Sequence, residues 1–221
     1  MKNKVVSLEK AMECINDGVT LMVGGFLNCG SPIQIIDAIV AKGVKDITLI
    51  ANDTSTTGIA NSKLIASRMV KKAIVSHIGT NPETGRQMLA GELDVQLVPQ
   101  GTLAERIRAA GAGLGGVLTP AGVGTDVSQG EATMTVEGKE YTVALPLKAD
   151  VAIIKGSVVD TFGNIMYNGT TRNFNPLMAT AADVVIVEAE KIVEVGELDP
   201  SHVVTSGIFV DYIVGGANNG E

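Results

Sequence analysis

The chain has 221 residues, of which 45% are apolar and 19% charged, with a formal net charge of −7. This describes one large α/β domain, or a domain with a small insert, and not a disordered chain. The acidic balance argues against nucleic acid or an anionic membrane as the main partner. No signal peptide precedes the first helix, and no apolar run approaches the roughly 20 residues of a membrane span, so a cytoplasmic protein is expected. Aromatics make up 3% with no Trp, which leaves Val, Ile, Leu, Ala and Met to build the core.

In chain order, Ser7 to Asp17 carries Leu8, Ala11, Met12 and Ile15 on one helical face, with Ser7 as cap and Gly18 as stop. Val19 to Val23 reads as a strand covered on both faces. Gly24 and Gly25 follow as a turn, and Pro32 opens a second helix to Lys42, with Ile35, Ile36, Ile39 and Val40 inward and Gly43 at its end. Ile47 to Ala51 is the next strand and runs into the polar loop Asn52 to Gly58. A short helix over Ser62 to Val70 leads to a strand over Ala73 to His77. Pro82 to Ala90 is helical, Val95 to Val98 is a strand, and Thr102 to Ala110 is a helix with Thr102 and Glu105 as a capping box.

Strand and helix alternate to this point with short connections. That order predicts an open, mostly parallel sheet with helices on both faces. The rhythm breaks over residues 111–148, where a glycine-rich loop from Gly111 to Gly124 precedes an alternating stretch, Ala132 to Leu145, that turns at Glu137-Gly138. This is read as a small β insert in a single domain spanning residues 1–221. Val151 to Ile154, Val184 to Val187 and Ile192 to Val195 resume the strand pattern. Asn175 to Ala182 is a helix capped by Asn175 with Pro176 first, and Gly215 to Glu221 a frayed tail.

Candidate chemistry concentrates at strand ends. In an open parallel sheet, ligands bind beyond the carboxyl ends of the strands. The loop Gly24 to Pro32, Asn52 and Gln100 each follow such an end. Backbone amides and two carboxamides are neutral donors, suited to a carbonyl oxygen that becomes negative. Each loop alone could be an ordinary polar turn; three on one rim are less simply dismissed.

Other patterns fail on context. Gly111-Ala112-Gly113-Leu114-Gly115-Gly116 satisfies Gly-x-Gly-x-x-Gly, with Glu131 twenty residues on. A dinucleotide fingerprint needs a strand before it and a helix after it; here a helix precedes and Thr119-Pro120 follows. No P-loop sequence occurs. His77 and His202 lie far apart and suggest no triad. Cys14 and Cys29 match no metal spacing and read as reduced thiols, so no metal site is predicted. Glu92, Glu105 and Glu188 suit helix-surface, capping and strand-end roles, and Arg106 and Arg108 a solvated helix face.

At Asp17 through Pro32 the chain resembles the α subunit of the family I (3-oxoacid type) CoA-transferases. The signature is Asp/Asn-Gly, two residues, an apolar triplet, Gly-Gly-Phe, three residues, Gly, one residue, Pro, and every element is matched. Pro99 to Arg108 and Arg172-Asn173-Phe174-Asn175 are also similar to family segments. The resemblance implies transfer of CoA from a short-chain acyl-CoA, acetoacetyl-CoA above all, to a carboxylate such as acetate or butyrate. A glutamate attacks the thioester, an acyl-glutamyl anhydride forms, CoA returns to give a glutamyl-CoA thioester, and the acceptor acid resolves it. Gly24, Gly25, Phe26 and Gly30 would form the oxyanion and CoA-binding loop, and Asn52 and Gln100 would contact substrate. CoA is then a substrate, with no permanently bound cofactor.

One departure matters. The family's nucleophile lies in Ser-Glu-Asn-Gly within the β subunit, and no Glu-Asn-Gly occurs in this chain. The resemblance therefore implies no catalytic nucleophile here, a β-subunit partner, an α2β2 or larger assembly, and no activity from this chain alone. A non-catalytic module of similar α/β fold that binds a sugar phosphate or CoA is the competing expectation.

Overall fold

The computed structural model describes residues 3–128 and 130–215. Ser7 opens the first helix as expected, its hydroxyl accepting the Lys10 amide at 3.3 Å. Regular α structure lasts only over Leu8–Ala11 (α1) and tightens into a 3-10 turn over Met12–Cys14. Gly18, at φ 79°, turns the chain into β1, Thr20–Val23. Helix α2 spans Ile33–Lys42, and Gly43 closes it in the left-handed conformation, donating to the Ile39 and Val40 carbonyls. Its inward residues Ile35, Ile36 and Ile39 are fully buried, each contributing about 1.5–3 kcal/mol.

The alternation continues through β2 (Ile47–Ala51), α3 (Asn61–Ala66), β3 (Val70–Val75), α4 (Pro82–Leu89), β4 (Asp94–Leu97) and α5 (Gln100–Gly111). Three strands follow, β5 (Val117–Thr119), β6 (Thr133–Val136) and β7 (Lys139–Ala144). The chain then completes β8 (Ala149–Asp160), β9 (Ile165–Met166), α6 (Asn175–Met178), β10 (Ala182–Val193) and β11 (Tyr212–Gly215).

The main sheet runs β11-β10-β8-β1-β2-β3-β4 with every neighbouring pair parallel, and β9 adds antiparallel to β8. Successive strand residues serve opposite faces. Leu21 and Val23 pack with Ile35, Ile39 and Leu64 on one side, while Met22 packs with Leu103, Ile107 and Met178 on the other. The expected α/β class, with helices on both faces, is therefore met. Strand order reverses between β1 and β8, so the loop leaving β1 opens at a topological switch point.

Strands β5, β7 and β6 form a separate three-stranded antiparallel sheet within the segment read as an insert. Its hairpin turns at Glu137 (φ 49°) and Gly138 (φ 75°), two positive-φ residues that match the right-handed strand twist. Arg106 ties this sheet to α5: its Nε donates to the Leu145 carbonyl at 2.7 Å. Its guanidinium is half-buried, with its pKa lowered by burial, and does not lie on the solvated face expected from sequence.

Several boundaries differ from expectation. Helix α5 begins at Gln100, after Pro99 at φ −51°, and so starts two residues before Thr102. No capping box forms: the Thr102 hydroxyl is buried without a partner, and Glu105 pairs with Arg108 at 2.8 Å. The two strands expected over Val184–Val187 and Ile192–Val195 are one continuous strand, β10, because its ladder to β8 runs through Glu188, Ala189 and Lys191. β3 starts at Val70, earlier than the expected Ala73, and His77 lies past its end, in an isolated bridge to Asp53. Glu92 sits past the end of α4 and pairs with Arg68 and Arg86. Gly215 ends β11, and residues 216–221 of the expected frayed tail lie outside the described residues.

Candidate active site

The loop after β1 is shaped by contacts that only glycine permits. A Cβ on Gly24 would stand 1.8 Å from Asn175 Oδ1. Gly25 has φ +120°, and a Cβ there would lie 2.3 Å from Ser31 Oγ. Gly30, at φ +67°, would bring one to 2.7 Å from the Thr171 carbonyl. Between them Phe26 and Cys29 exchange two backbone hydrogen bonds of 3.0 Å, with Leu27 at φ 54°. This tight turn leaves Phe26 42% exposed.

The segment before α6 braces that loop. Asn175, fully buried, donates through Nδ2 to the carbonyls of Gly30 at 3.0 Å and Thr171 at 2.7 Å, and its Oδ1 accepts the Lys155 amide at 3.0 Å. It is thus a long-range clamp and not the helix cap expected; the cap residue of α6 is Phe174. Asn173 donates to the Cys29 carbonyl at 3.1 Å, while its Oδ1 accepts the Gly25 amide at 3.1 Å.

The loop amides are consequently engaged within the chain. Gly24 donates to the Ile153 carbonyl at 2.9 Å, Gly25 to Asn173, Phe26 to Cys29, and Leu27 to Asp53 Oδ2 at 2.7 Å.

Asn52 and Gln100 do meet. Gln100 Nε2 donates to Asn52 Oδ1 at 3.1 Å, and Ser76 Oγ donates to the same oxygen at 3.2 Å. Asn52 is 3% exposed and donates to Asp53 Oδ2 at 2.6 Å, so its amide is fixed on both sides. Gln100 is exposed. Of the two, Gln100 lines the neighbouring cavity and Asn52 holds its amide from behind.

A cavity of about 300 Å³ lies beside them, lined by Phe26, Gln100, Gly101, Asn173, Phe174 and neighbouring apolar residues of α5 and α6, none of them charged. Helix α5 points its amino end here, since Gln100 and Gly101 are its first two residues and Pro99 supplies no side-chain cap. Uncapped first-turn N–H groups favour negative charge. The donor set is therefore neutral carboxamide and backbone, a kind that stabilises a developing oxyanion.

Neither carboxylate near the rim is free. Asp53, 2% exposed, accepts from Leu27, Asn52 and, at 2.7 Å, the Ser55 amide. Glu188, 1% exposed, accepts the Ile35 amide at 3.1 Å in the first turn of α2 and pairs with Lys155 Nζ at 2.9 Å. It is more than a strand-end residue, because it supplies the acceptor that Pro32 at the α2 cap cannot. Removing either partner would leave a buried charge uncompensated.

Cys29 in the rim loop and Cys14 away from it are free thiols, and burial raises the Cys14 pKa. Gly111, the first glycine of the dinucleotide-like pattern, is the last residue of α5, which confirms the context that excluded that pattern. Among the described residues no helix is long and apolar enough to cross a membrane. Sequence reasoning missed Asp53, Ser76 and the bracing role of the two asparagines; the only signal was the run Arg172-Asn173-Phe174-Asn175.

The family model described as Coenzyme A transferase matches residues 5–216. Acetate CoA-transferase subunit alpha of Escherichia coli (strain K12) is 52% identical over 214 residues, covering 97% of both chains. Acetoacetyl-CoA:acetate/butyrate CoA transferase alpha subunit of Clostridium acetobutylicum is 50% identical over 214 residues, covering 97% of this chain and 98% of its own. Among solved structures, the glutaconate coenzyme A-transferase of Acidaminococcus fermentans superimposes with a TM-score of 0.85 at 20% identity, over 96% of this chain and 75% of that one. An acyl-CoA transferase of Escherichia coli O157:H7 gives 0.85 at 22% identity, over 97% of this chain but 47% of that one, and these two likenesses speak to fold alone. By sequence over nearly its whole length, this chain belongs to the Coenzyme A transferase family, as an α subunit.

Proposed function

We propose that this α subunit works in an enzyme that moves CoA between a short-chain acyl-CoA, acetoacetyl-CoA foremost, and a carboxylate such as acetate or butyrate. The names of the relatives at 52% and 50% identity support those substrates. The nucleophile is a glutamate of a β subunit, in Ser-Glu-Asn-Gly, and the two chains assemble as α2β2 or larger. The observation that carries this reading is a donor-lined cavity with no charged residue in its lining, while the buried carboxylates Asp53 and Glu188 are both held by other groups.

In this reading Gly24, Gly25, Phe26 and Gly30 form the wall on which the thioester rests. The exposed amide of Gln100, held at its back by Asn52, takes the carbonyl oxygen as it becomes negative at each tetrahedral step. The amino end of α5 adds to the same field. The glutamate enters from the partner and passes through anhydride, glutamyl-CoA thioester and second anhydride. Every step exchanges one acyl bond for another, so no resident cofactor is needed, and CoA is only a substrate. Residues 1–221 act as one domain, with the three-stranded sheet as an insert. Full-length likeness to transferase α subunits disfavours a non-catalytic binding module.

The test is co-expression with a candidate β subunit carrying Ser-Glu-Asn-Gly, followed by an acyl-CoA exchange assay with acetate and butyrate. Exchange by the complex and none by the α chain alone is expected. Turnover by the α chain alone, or none from a confirmed complex across several short acids, would overturn the reading.

A further inference from the structure

The two asparagines that grip the glycine loop differ in what they can give up. Asn175 is fully buried, makes three hydrogen bonds, and fills the space that Gly24 leaves open. It has nowhere to go. Asn173 is half-buried and lines the cavity beside Phe26 and Gln100. Its Oδ1 accepts the Gly25 amide at 3.1 Å and the Phe174 amide at 2.6 Å. Its Nδ2 donates to the carbonyls of Cys29 at 3.1 Å and Thr170 at 2.8 Å. The Gly25 N–H is thus occupied by a side-chain oxygen of a residue that lines the cavity. On either side of it the Gly24 and Phe26 amides donate to the Ile153 and Cys29 carbonyls.

We propose that Asn173 is a positioning residue that acts as a latch. Its Oδ1 stands in for the acyl oxygen on the Gly25 amide in the empty subunit and is displaced by that oxygen during transfer. The proposal rests on the CoA-transferase reading above. An unpaired N–H at the buried Gly25 would be costly to leave open, and Asn173 supplies its acceptor. The exchange at Gly25 swaps one oxygen acceptor for another while Asn173 Oδ1 keeps the Phe174 amide as a donor. A developing oxyanion, being charged, is the stronger acceptor and wins the donor when the tetrahedral intermediate forms.

The test compares Asn173→Ala and Asn173→Asp in the reconstituted α/β complex. Alanine removes the latch, and Asn173→Ala is expected to keep more than a third of the wild-type kcat/KM. Aspartate is isosteric but keeps a charged acceptor on the amide and repels an oxyanion, so Asn173→Asp should lose at least tenfold. A residue that merely braces the loop predicts that both variants fail, because alanine deletes all four bonds and aspartate loses the two donated to Cys29 and Thr170. Asn173→Ala below a third of wild type, or Asn173→Asp undiminished, overturns the latch. Asn173→Ser, too short to reach the amide, carries the alanine expectation if that variant fails to assemble.

Hydrogen exchange of the peptide containing Gly25, in the same complexes, gives a readout that does not depend on turnover. One amide should lose protection in Asn173→Ala and keep it in Asn173→Asp; unchanged exchange in Asn173→Ala also overturns the proposal. A wild-type complex with no exchange activity counts against the transferase reading instead, and the amide measurement still tests the contact between Asn173 and Gly25 on which the latch depends.

Discussion

Glycine is common both at the rim of the parallel sheet and around the small antiparallel one, for different physical reasons. At the rim, Gly24 and Gly30 leave no room for a Cβ against Asn175 and Thr171. Around β5, β6 and β7, a Cβ on Gly113, Gly115, Gly124, Gly130 or Gly138 would meet nothing within 4 Å, and the tightest approaches are 3.0 Å from Gly116 to the Ala144 carbonyl and 3.3 Å from Gly122 to Val127. The strands differ in the same way, since β1 has buried Leu21, Met22 and Val23 while all of β6 is exposed. Close approach therefore specifies the first region, whereas turn geometry and solvent specify the second. Substitutions that add a methyl group should separate the two.

Gly24→Ala is expected to have the largest effect. Asn175 cannot yield without abandoning bonds to Gly30, Thr171 and Lys155, so overpacking adds to buried groups left unsatisfied. The expected cost is about 3 kcal/mol or more, or roughly 6–12 °C in Tm for a chain of this size. Thermal denaturation checks it. A shift under about 2 °C would mean that the contact is loose and the rim no more specified than the insert. Gly25→Val comes next, and its readout is turnover. A β-branched side chain at φ +120°, with its Cβ against Ser31, strains the backbone and redirects the loop. The assembled complex should lose at least a hundredfold in kcat/KM. Wild-type turnover from a folded, assembled variant would remove the loop from the site.

Charge on the outer surface should count for less. Arg86 bonds Glu83 and, with Gln87, holds its pKa down to about 2. A depressed carboxylate contributes stability that is present above its ordinary range and lost as pH falls through the native pKa. Wild-type Tm should therefore fall more between about pH 4.5 and 2 than that of Glu83→Gln, with the two converging at the acid end. The difference should shrink in high salt, since both side chains are solvent-exposed. A Glu83→Gln loss at pH 7 as large as that of Gly24→Ala would reverse the ranking.

Local signals in the sequence were sufficient for most of the sheet. Ile47–Ala51 is both the expected and the observed strand, and the left-handed Glu137-Gly138 turn follows from residue type. Misreadings came where distant contacts override a local pattern. Asn175 before a proline looks like a cap, yet its partners lie 145 and 20 residues away at Gly30 and Lys155. Thr102 and Glu105 have capping-box spacing, but the helix starts earlier, immediately after Pro99. β10 reads as two strands because polar Glu188 and Lys191 interrupt the apolar run; Glu188 is satisfied by the half-buried Lys155 of the neighbouring strand. At the site, Asn52 and Gln100 were legible as strand-end polar residues. Their division into an oriented group and an exposed one, and the closure of Gly25 by Asn173, depend on packing that no spacing encodes.

Gly115→Ala should have the smallest effect and bears most directly on the comparison. Gly115 has no positive φ and no neighbour within reach of a Cβ, between the exposed Leu114 and the strand β5. Adding a methyl group there narrows the unfolded ensemble without strain in the native state, so stability should hold or rise by about 0.4–1 kcal/mol. Denaturant unfolding of the isolated chain measures this. The same variant in the α/β complex asks a second question, because Leu114 and Leu118 nearby are 45% and 42% exposed. Unchanged stability of the chain with unchanged turnover of the complex keeps the insert as a region governed by turns and solvent. Unchanged stability with weakened assembly would instead show that close approach governs both regions, the second one only once a partner is bound.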